Sequence, residues 1–368
     1  MEFKVNRNEF LKSLRWIQGV VERKTTMPIL TNVLIEGEAK RLTLTATDLE
    51  IGIRVECPAE VSSPGMIVVS ARSLYEIIKE LVIDRVRLKG EEGKRLEIHA
   101  GRSEFKVVAM KADDFPSVME GGTNSFTPLE GSLLLEMVEK TAYAISSDET
   151  RYALNGVYIE KLKEENGLRM VATDGHRLSY VDRKIGREFL LKKGVIIPKK
   201  GIQELKKLIS EGEGDFELAL DEKNMMARRG TTTVLARLIE GQYPEYQQVI
   251  PTTTGRYLSV HRETFIGALK RASVMATDRV NGIHLKVSPG NLEVSSNNPD
   301  LGEAREELDV DYKGETFQVG FNPRYLLDIL NVIEDEKVVL ELKDEVSPCI
   351  IRSEYDKSFL ALVMPMRV

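Results

Sequence analysis

A chain of 368 residues is longer than one hydrophobic core usually organises, so two or three domains are expected before any motif is read. With 42% apolar residues, 30% charged residues of mixed sign and no long Ser, Gly or Pro tract, the composition speaks against a disordered or fibrous polypeptide. A net charge of −6 speaks against a uniformly basic nucleic-acid packager but leaves room for a local basic surface; the longest apolar runs, such as Phe359 to Met364, are too short to span a bilayer, so a cytoplasmic protein with no membrane partner is expected.

The first predicted elements are a short strand and an amphipathic helix at Glu9-Phe10-Leu11-Lys12-Ser13-Leu14. An alternating strand, Leu42-Thr43-Leu44-Thr45-Ala46-Thr47, then runs into a turn at Asp48. Ile67-Val68-Val69-Ser70 forms a second strand that leads into a helix around Leu74-Tyr75-Glu76-Ile77-Ile78, and a strand over Phe105 to Met110 closes the set. The order then repeats: a helix at Ser132 to Met137, a strand Leu168 to Thr173 ending at Asp174, Val195 to Pro198 before a helix at Ile202 to Leu205, and a closing strand over Thr233 to Leu238. A third copy follows with a helix at Thr264 to Leu269, a strand Leu292 to Asn297 ending at Asn298, Val319 to Asn322 before a helix at Tyr325 to Leu327, and Phe359 to Met364. Asp48, Asp174 and Asn298 fall 126 and 124 positions apart, and Ser70, Pro198 and Asn322 fall 128 and 124 apart.

Four elements in one order at near-constant offsets imply three homologous domains, 1–121, 122–252 and 253–368, with breaks where turn residues cluster at Gly121 to Asn124 and Thr252 to Gly255. Each is expected to be α+β, with two helices covering one face of a mostly antiparallel sheet of roughly eight strands.

The six predicted helical windows carry a net +6 and the remainder −12. Lys12, Arg15, Lys199, Lys200, Lys206, Lys207, Lys270 and Arg271 on or beside these helices, with Arg23 and Lys24 in a basic turn after the first, form a candidate surface for DNA phosphates. Solvation of outer helix faces, and a plain surface turn, are the competing readings. Trp16 is the one tryptophan and no aromatic platform for unstacked bases is evident, which favours duplex over single strands.

No phosphate-binding loop, nucleophile elbow or H-E-x-x-H pair occurs, and the four histidines show no metal-ligand spacing, so no catalysis, cofactor or metal is expected. Asp309-x-Asp311 only faintly resembles a calcium loop, because Lys313 and Gly320 stand where ligands are needed. His176 beside Asp174 is the one acid–base candidate; without a nucleophile or metal, a structural hydrogen bond is its expected role. Cys57 and Cys349 are far apart in sequence and are expected to be buried thiols.

Three segments, Ala172-Thr173-Asp174-Gly175-His176-Arg177-Leu178, Glu240-Gly241-Gln242-Tyr243-Pro244-Glu245-Tyr246 and Val363-Met364-Pro365-Met366-Arg367-Val368, together resemble the bacterial beta sliding clamp family. Arg151 to Gly156 and Gly101 to Ser103 extend the likeness over essentially the whole chain. The resemblance implies a non-catalytic ring that encircles double-stranded DNA without sequence preference. It implies a head-to-tail homodimer in which Phe105 and Val107 meet the partner subunit's third domain at the positions of Val274 and Met275, although these apolar residues could equally be internal core. It further implies a peptide pocket formed by Leu154, Thr173, Gly175, His176, Arg177, Leu178, Pro244, Val249, Val346, Val363, Met364, Pro365 and Met366. Its partners would be the replicative polymerase catalytic subunit, the clamp loader, and other DNA polymerases and repair factors. Gln247-Gln248 stands where members often carry arginines and Val368 replaces a usual leucine, so the pocket's rim chemistry departs from the family pattern.

Overall fold

The computed structural model describes residues 1–21, 26–118, 126–162, 166–276 and 282–366. Six α-helices occur among them: α1 Arg7–Gln18, α2 Ala71–Glu80, α3 Gly131–Ala142, α4 Lys199–Glu211, α5 Arg262–Ala272 and α6 Pro323–Leu330. Each lies where the hydrophobic spacing placed one. Local chemistry fixes their starts: the Asn6 side chain accepts from the Asn8 and Glu9 amides, Ser70 Oγ accepts from the Ser73 amide, and Asn322 caps α6 with Pro323 as its first residue. Ser70, Pro198 and Asn322 each stand immediately before a helix, so the repeat is in register at the helix starts.

Arginines satisfy carbonyls at the far ends of these second helices. Arg7 Nε donates to Ile78 O at 3.0 Å and Arg262 Nη1 to Leu330 O at 3.1 Å, each from the first residue of the preceding helix. Gly131 occupies that position in the central repeat, and Arg229 donates to Ile209 O instead.

The chain forms two compact units that do not follow the thirds: Met1–Ser132 with Lys200–Leu238, and Leu133–Lys199 with Ile239–Val368. The central repeat is shared because its sheet is divided between neighbours. In the first unit thirteen strands form one sheet, in which Thr232–Arg237 lies against Ile51–Pro58. In the second, an eight-stranded sheet lays Phe359–Val363 against Arg177–Lys184, and a four-stranded sheet holds Gly302–Asp309, Asn291–Asn298, Ile283–Ser288 and Phe317–Phe321. The ladders are antiparallel throughout.

The two joins between repeats have one register. Ile51 pairs with Ala236 and Gly52 with Leu235; Arg177 pairs with Val363 and Leu178 with Leu362. We call these the first and second junctions. No helix among the described residues is long and apolar enough to cross a membrane. Cys57 and Cys349 are free and buried, and burial pushes the Cys57 thiol up to about 11.

Candidate functional site

Chain direction reverses beside the second junction in a five-residue turn, Thr173 to Arg177. Asp174 Oδ1 accepts from the His176 and Arg177 amides at 2.9 and 3.0 Å, Thr173 Oγ1 donates to Arg177 O at 2.6 Å, and Gly175 takes a φ of +86° that a side chain would oppose. Asp48 and Asn298 make the same two-amide bonds in the other repeats, so the aligned Asp, Asp and Asn are turn-formers.

Below the turn lies an apolar cluster of Val171, Leu178, Ile196, Tyr243, Tyr246, Ile350 and Leu362, with Leu154 packed against it. Tyr243 stacks on Tyr158 at 4.8 Å, and Tyr246 is held through its hydroxyl by Glu160 and Arg169. Pro244 and Val249 flank these tyrosines in sequence, both exposed. From the sheet edge the chain continues past the turn: the Met364 amide donates to His176 O at 2.8 Å and the Met366 amide to Gly320 O at 2.8 Å, tying the tail to both sheets of the second unit. Val363 is fully buried, whereas Met364 and Met366 keep more than a third of their surface exposed. Val346 is 74% exposed in the hairpin turn before Cys349, the strand that pairs Cys349 with Val363. Thr173, Gly175, His176, Leu154, Leu178 and Val363 to Met366 are thus brought together around one turn and one cluster, with Pro244, Val249 and Val346 on the segments that flank them. Arg367 and Val368 lie outside the described residues.

Arg177 differs from its neighbours because its guanidinium points away from solvent. Nε donates to Asp174 Oδ2 at 3.1 Å, Nη1 to Asp328 Oδ2 at 2.5 Å and Nη2 to Tyr143 O at 2.6 Å, while the Tyr325 ring lies 4.5 Å from the guanidinium carbon. Asp328 and Tyr325 belong to α6 and Tyr143 follows α3; sequence reasoning missed all three. A tyrosine and an aspartate three positions apart on one helix face was the available signal. The expected structural hydrogen bond of His176 is not made by its ring, which bonds to no described residue and instead stacks on Tyr325 with centroids 6.4 Å apart. The imidazole is exposed, and its backbone does the structural work.

The basic residues divide by partner. Lys12 donates to Glu213 at 2.8 Å, Lys200 to Asp48 at 2.8 Å, and Arg271 is forked onto Glu306 at 2.9 and 2.6 Å. Lys207 sits 4.8 Å over the Trp16 ring. Arg15, Lys199 and Lys270 are exposed with no ion pair among the described residues, and Lys206 is exposed as well. Arg15 also lines a cavity of about 570 Å³ in the first unit with Arg72, Tyr75, Ser70 and Thr31. Arg72 is a second cation there that the sequence reading did not single out. Arg23 and Lys24 lie outside the described residues.

Among the described residues, two strands near the apolar residues singled out above have an unpaired side. Ser103–Met110 is paired on one side by Arg95–Ala100 but on the other only at Ala109 and Met110, leaving Ser103 to Val108 unpaired there. Phe105 is exposed, Val107 half-buried, and Val108, which the sequence reading passed over, is 78% exposed. In the second unit Gly302–Asp309 pairs with Asn291–Asn298 alone; Val274 is exposed and Met275 half-buried. Unpaired edges of this kind invite another strand.

Similarity to known proteins extends over the whole chain. The chain matches the family profiles of the DNA polymerase III beta subunit: N-terminal domain over residues 1–119, central domain over 128–245 and C-terminal domain over 247–367. It is 37% identical to the beta sliding clamp of Pseudomonas putida and 33% identical to that of Escherichia coli, each over 100% of both chains. Among solved structures, the Caulobacter crescentus beta sliding clamp superposes with a TM-score of 0.96 at 35% identity. A sliding clamp of Bartonella birtlesii bound to griselimycin superposes with a TM-score of 0.95 at 37% identity; both alignments cover 100% of each chain.

Proposed function

We infer from the bacterial beta sliding clamp family, the DNA polymerase III beta subunit, to which this chain belongs, that it is a DNA sliding clamp. It is a non-catalytic processivity subunit that tethers a polymerase to duplex DNA, with partners docking through one peptide pocket. Its place of action is the cytoplasm. Its domains are 1–121, 122–252 and 253–368.

The carrying observation for the pocket is the pairing of a preformed turn, Thr173 to Arg177, with an apolar floor and exposed methionines. Leu154, Leu178 and Leu362 supply the floor, with Val363 buried next to Leu362 in the same strand; Met364, Pro365, Met366, Val346, Val249 and Pro244 supply adaptable apolar walls, which suits a site that accepts several peptides. Thr173, Gly175 and His176 present the turn's backbone at the rim, and Arg177 holds it from below. Gln247 and Gln248 are both exposed, so this rim is neutral where an arginine would add charge.

Duplex contact falls to Arg15, Lys199, Lys206 and Lys270, joined by Lys12, Lys200, Lys207 and Arg271 once phosphates compete for their present partners, and by Arg23, Lys24 and Arg72. Exposed ion pairs such as Lys12 with Glu213 are weakly held, so exchange for a phosphate costs little. The open edges at Ser103 to Val108 and Gly302–Asp309, with Phe105, Val107, Val274 and Met275 beside them, support head-to-tail dimerisation into a closed ring.

Loading onto nicked circular DNA followed by linearisation tests the reading. Protein that stays on the circle and is lost on cutting is topologically linked; retention after cutting overturns the ring.

A further inference from the structure

We propose that Asp328 is a positioning residue for the peptide-binding turn, acting through the Arg177 guanidinium; the inference rests on the pocket reading above. The turn carries two parts of the pocket at once, because His176 O accepts the Met364 amide that starts the tail. Whatever fixes the turn therefore fixes the tail. Arg177 is only 9% exposed, and its guanidinium meets three acceptors, of which Asp174 lies within the turn. Asp328 and Tyr143 O lie outside it, on α6 and at the end of α3, so they anchor the turn to the helices. A charge this buried is stable only when so paired.

The first junction is an internal control. Its turn, Thr47 to Ile51, forms with the same bonds: Asp48 Oδ1 accepts from the Glu50 and Ile51 amides at 3.0 and 2.7 Å, Thr47 Oγ1 donates to Ile51 O at 2.8 Å, and the Arg237 amide donates to Glu50 O at 2.8 Å. Yet Ile51 stands where Arg177 does, by ladder register. Glu204, the sixth residue of α4 as Asp328 is of α6, has one carboxylate oxygen buried without a hydrogen-bond partner among the described residues. Gly19 follows α1 as Tyr143 follows α3. The same turn folds without the strut, so the strut is not needed for the turn to form. It appears at the junction that carries the apolar walls, where it restricts motion between turn, tail and α6. Restricting a site in its bound geometry strengthens binding by lowering the ordering cost.

The test is calorimetric titration of full-length protein with griselimycin, together with thermal unfolding. Asp328→Asn is expected to bind about tenfold or more weakly, the scale of one charge-assisted hydrogen bond, and Asp328→Glu to recover most of the loss. Glu204→Gln, at the equivalent position of the first junction, leaves the affinity unchanged. Because a stranded Arg177 could unfold the site, the pair variant Arg177→Leu with Asp328→Leu removes both charges; it keeps a thermal midpoint near that of the unaltered protein yet binds as weakly as Asp328→Asn. Unaltered affinity in Asp328→Asn or in the pair variant, or equal weakening in Glu204→Gln, overturns the inference while the pocket stands. An unaltered protein that does not bind griselimycin overturns the pocket reading and the inference with it.

Discussion

The first and second junctions are two builds of one design, and their difference shows what converts a sheet join into a binding groove. Both close a strand onto a neighbour in the same register, both carry a Thr-Asp turn, and both cover the join with a Pro-containing segment, Phe115-Pro116 in one and Tyr243-Pro244 in the other. Side chains then diverge. Gly52 stands where Leu178 does, and Val118 fills the space, its Cγ1 only 2.7 Å from where a Cβ on Gly52 would lie. Arg237 stands where Met364 does, and Lys223 in the hairpin turn where Val346 does, each turn being closed by an aspartate that accepts the amides two and three residues on. The first junction is sealed by its own chain and rimmed by charge; the second is floored by leucine and walled by methionine and valine.

The sharpest way to break that contrast is to remove the shared floor. Leu235 and Leu362 are equivalent and buried, so Leu235→Ala and Leu362→Ala should each lower stability by about 2–5 kcal/mol in denaturant unfolding. Only Leu362→Ala should also weaken ligand binding at the pocket, read by the same calorimetric titration. Equal loss of binding from Leu235→Ala would show that the junctions are not functionally distinct. A smaller effect comes from exchanging turn residues. Leu49 adopts φ +79° without being glycine, whereas its counterpart Gly175 sits at +86° with Arg151 Nη1 2.5 Å from where a Cβ would lie. Gly175→Leu should cost about 1–2 kcal/mol and weaken ligand binding at the pocket, since the left-handed region is disfavoured for any residue with a Cβ. Leu49→Gly should leave stability level or slightly raised, and leave ligand binding at the pocket unaltered.

These contrasts also show where sequence reading succeeds and stops. Repetition, helix positions and turn-forming Asp48, Asp174 and Asn298 are legible because each is local: hydrophobic spacing, an N-cap, an aspartate two residues ahead of an amide. The sharing of the central repeat between two units is not local. Thr232–Arg237 pairs with Asn224–Arg229 of its own repeat on one side and with Ile51–Pro58 of the neighbouring repeat on the other, and strand composition does not say which strand takes that second side. Charge has the same limit. Lys12 and Arg271 read as free cations because their acids, Glu213 and Glu306, lie 201 and 35 residues away. Arg177 reads only as one of the pocket residues, because Asp328, which turns it inward, lies 151 residues on.

The smallest predicted effect separates the units by the sign of their response to pH. Burial holds the Glu204 carboxyl above its ordinary value of 4.5, with Lys207 only partly offsetting it. A raised folded-state value means that the unfolded chain releases this proton first, so Glu204's contribution to stability is intact below 4.5 and is lost as pH rises through the folded value. In the second unit Glu136 and Asp356 behave oppositely. Bonds from Arg183 and Lys140 hold Glu136 low; burial pushes Asp356 up, but the same two cations outweigh it and it too ends below its ordinary value. Their contribution is present above the unfolded values and disappears as pH falls. Glu204→Gln should therefore raise the thermal midpoint at pH 7 to 8 and lose that gain as the pH drops below 4.5, where the wild-type carboxyl is already neutral in both states. A gain that persists undiminished at acid pH would show that the glutamine improves packing, and that the missing arginine at Ile51 leaves no electrostatic cost behind.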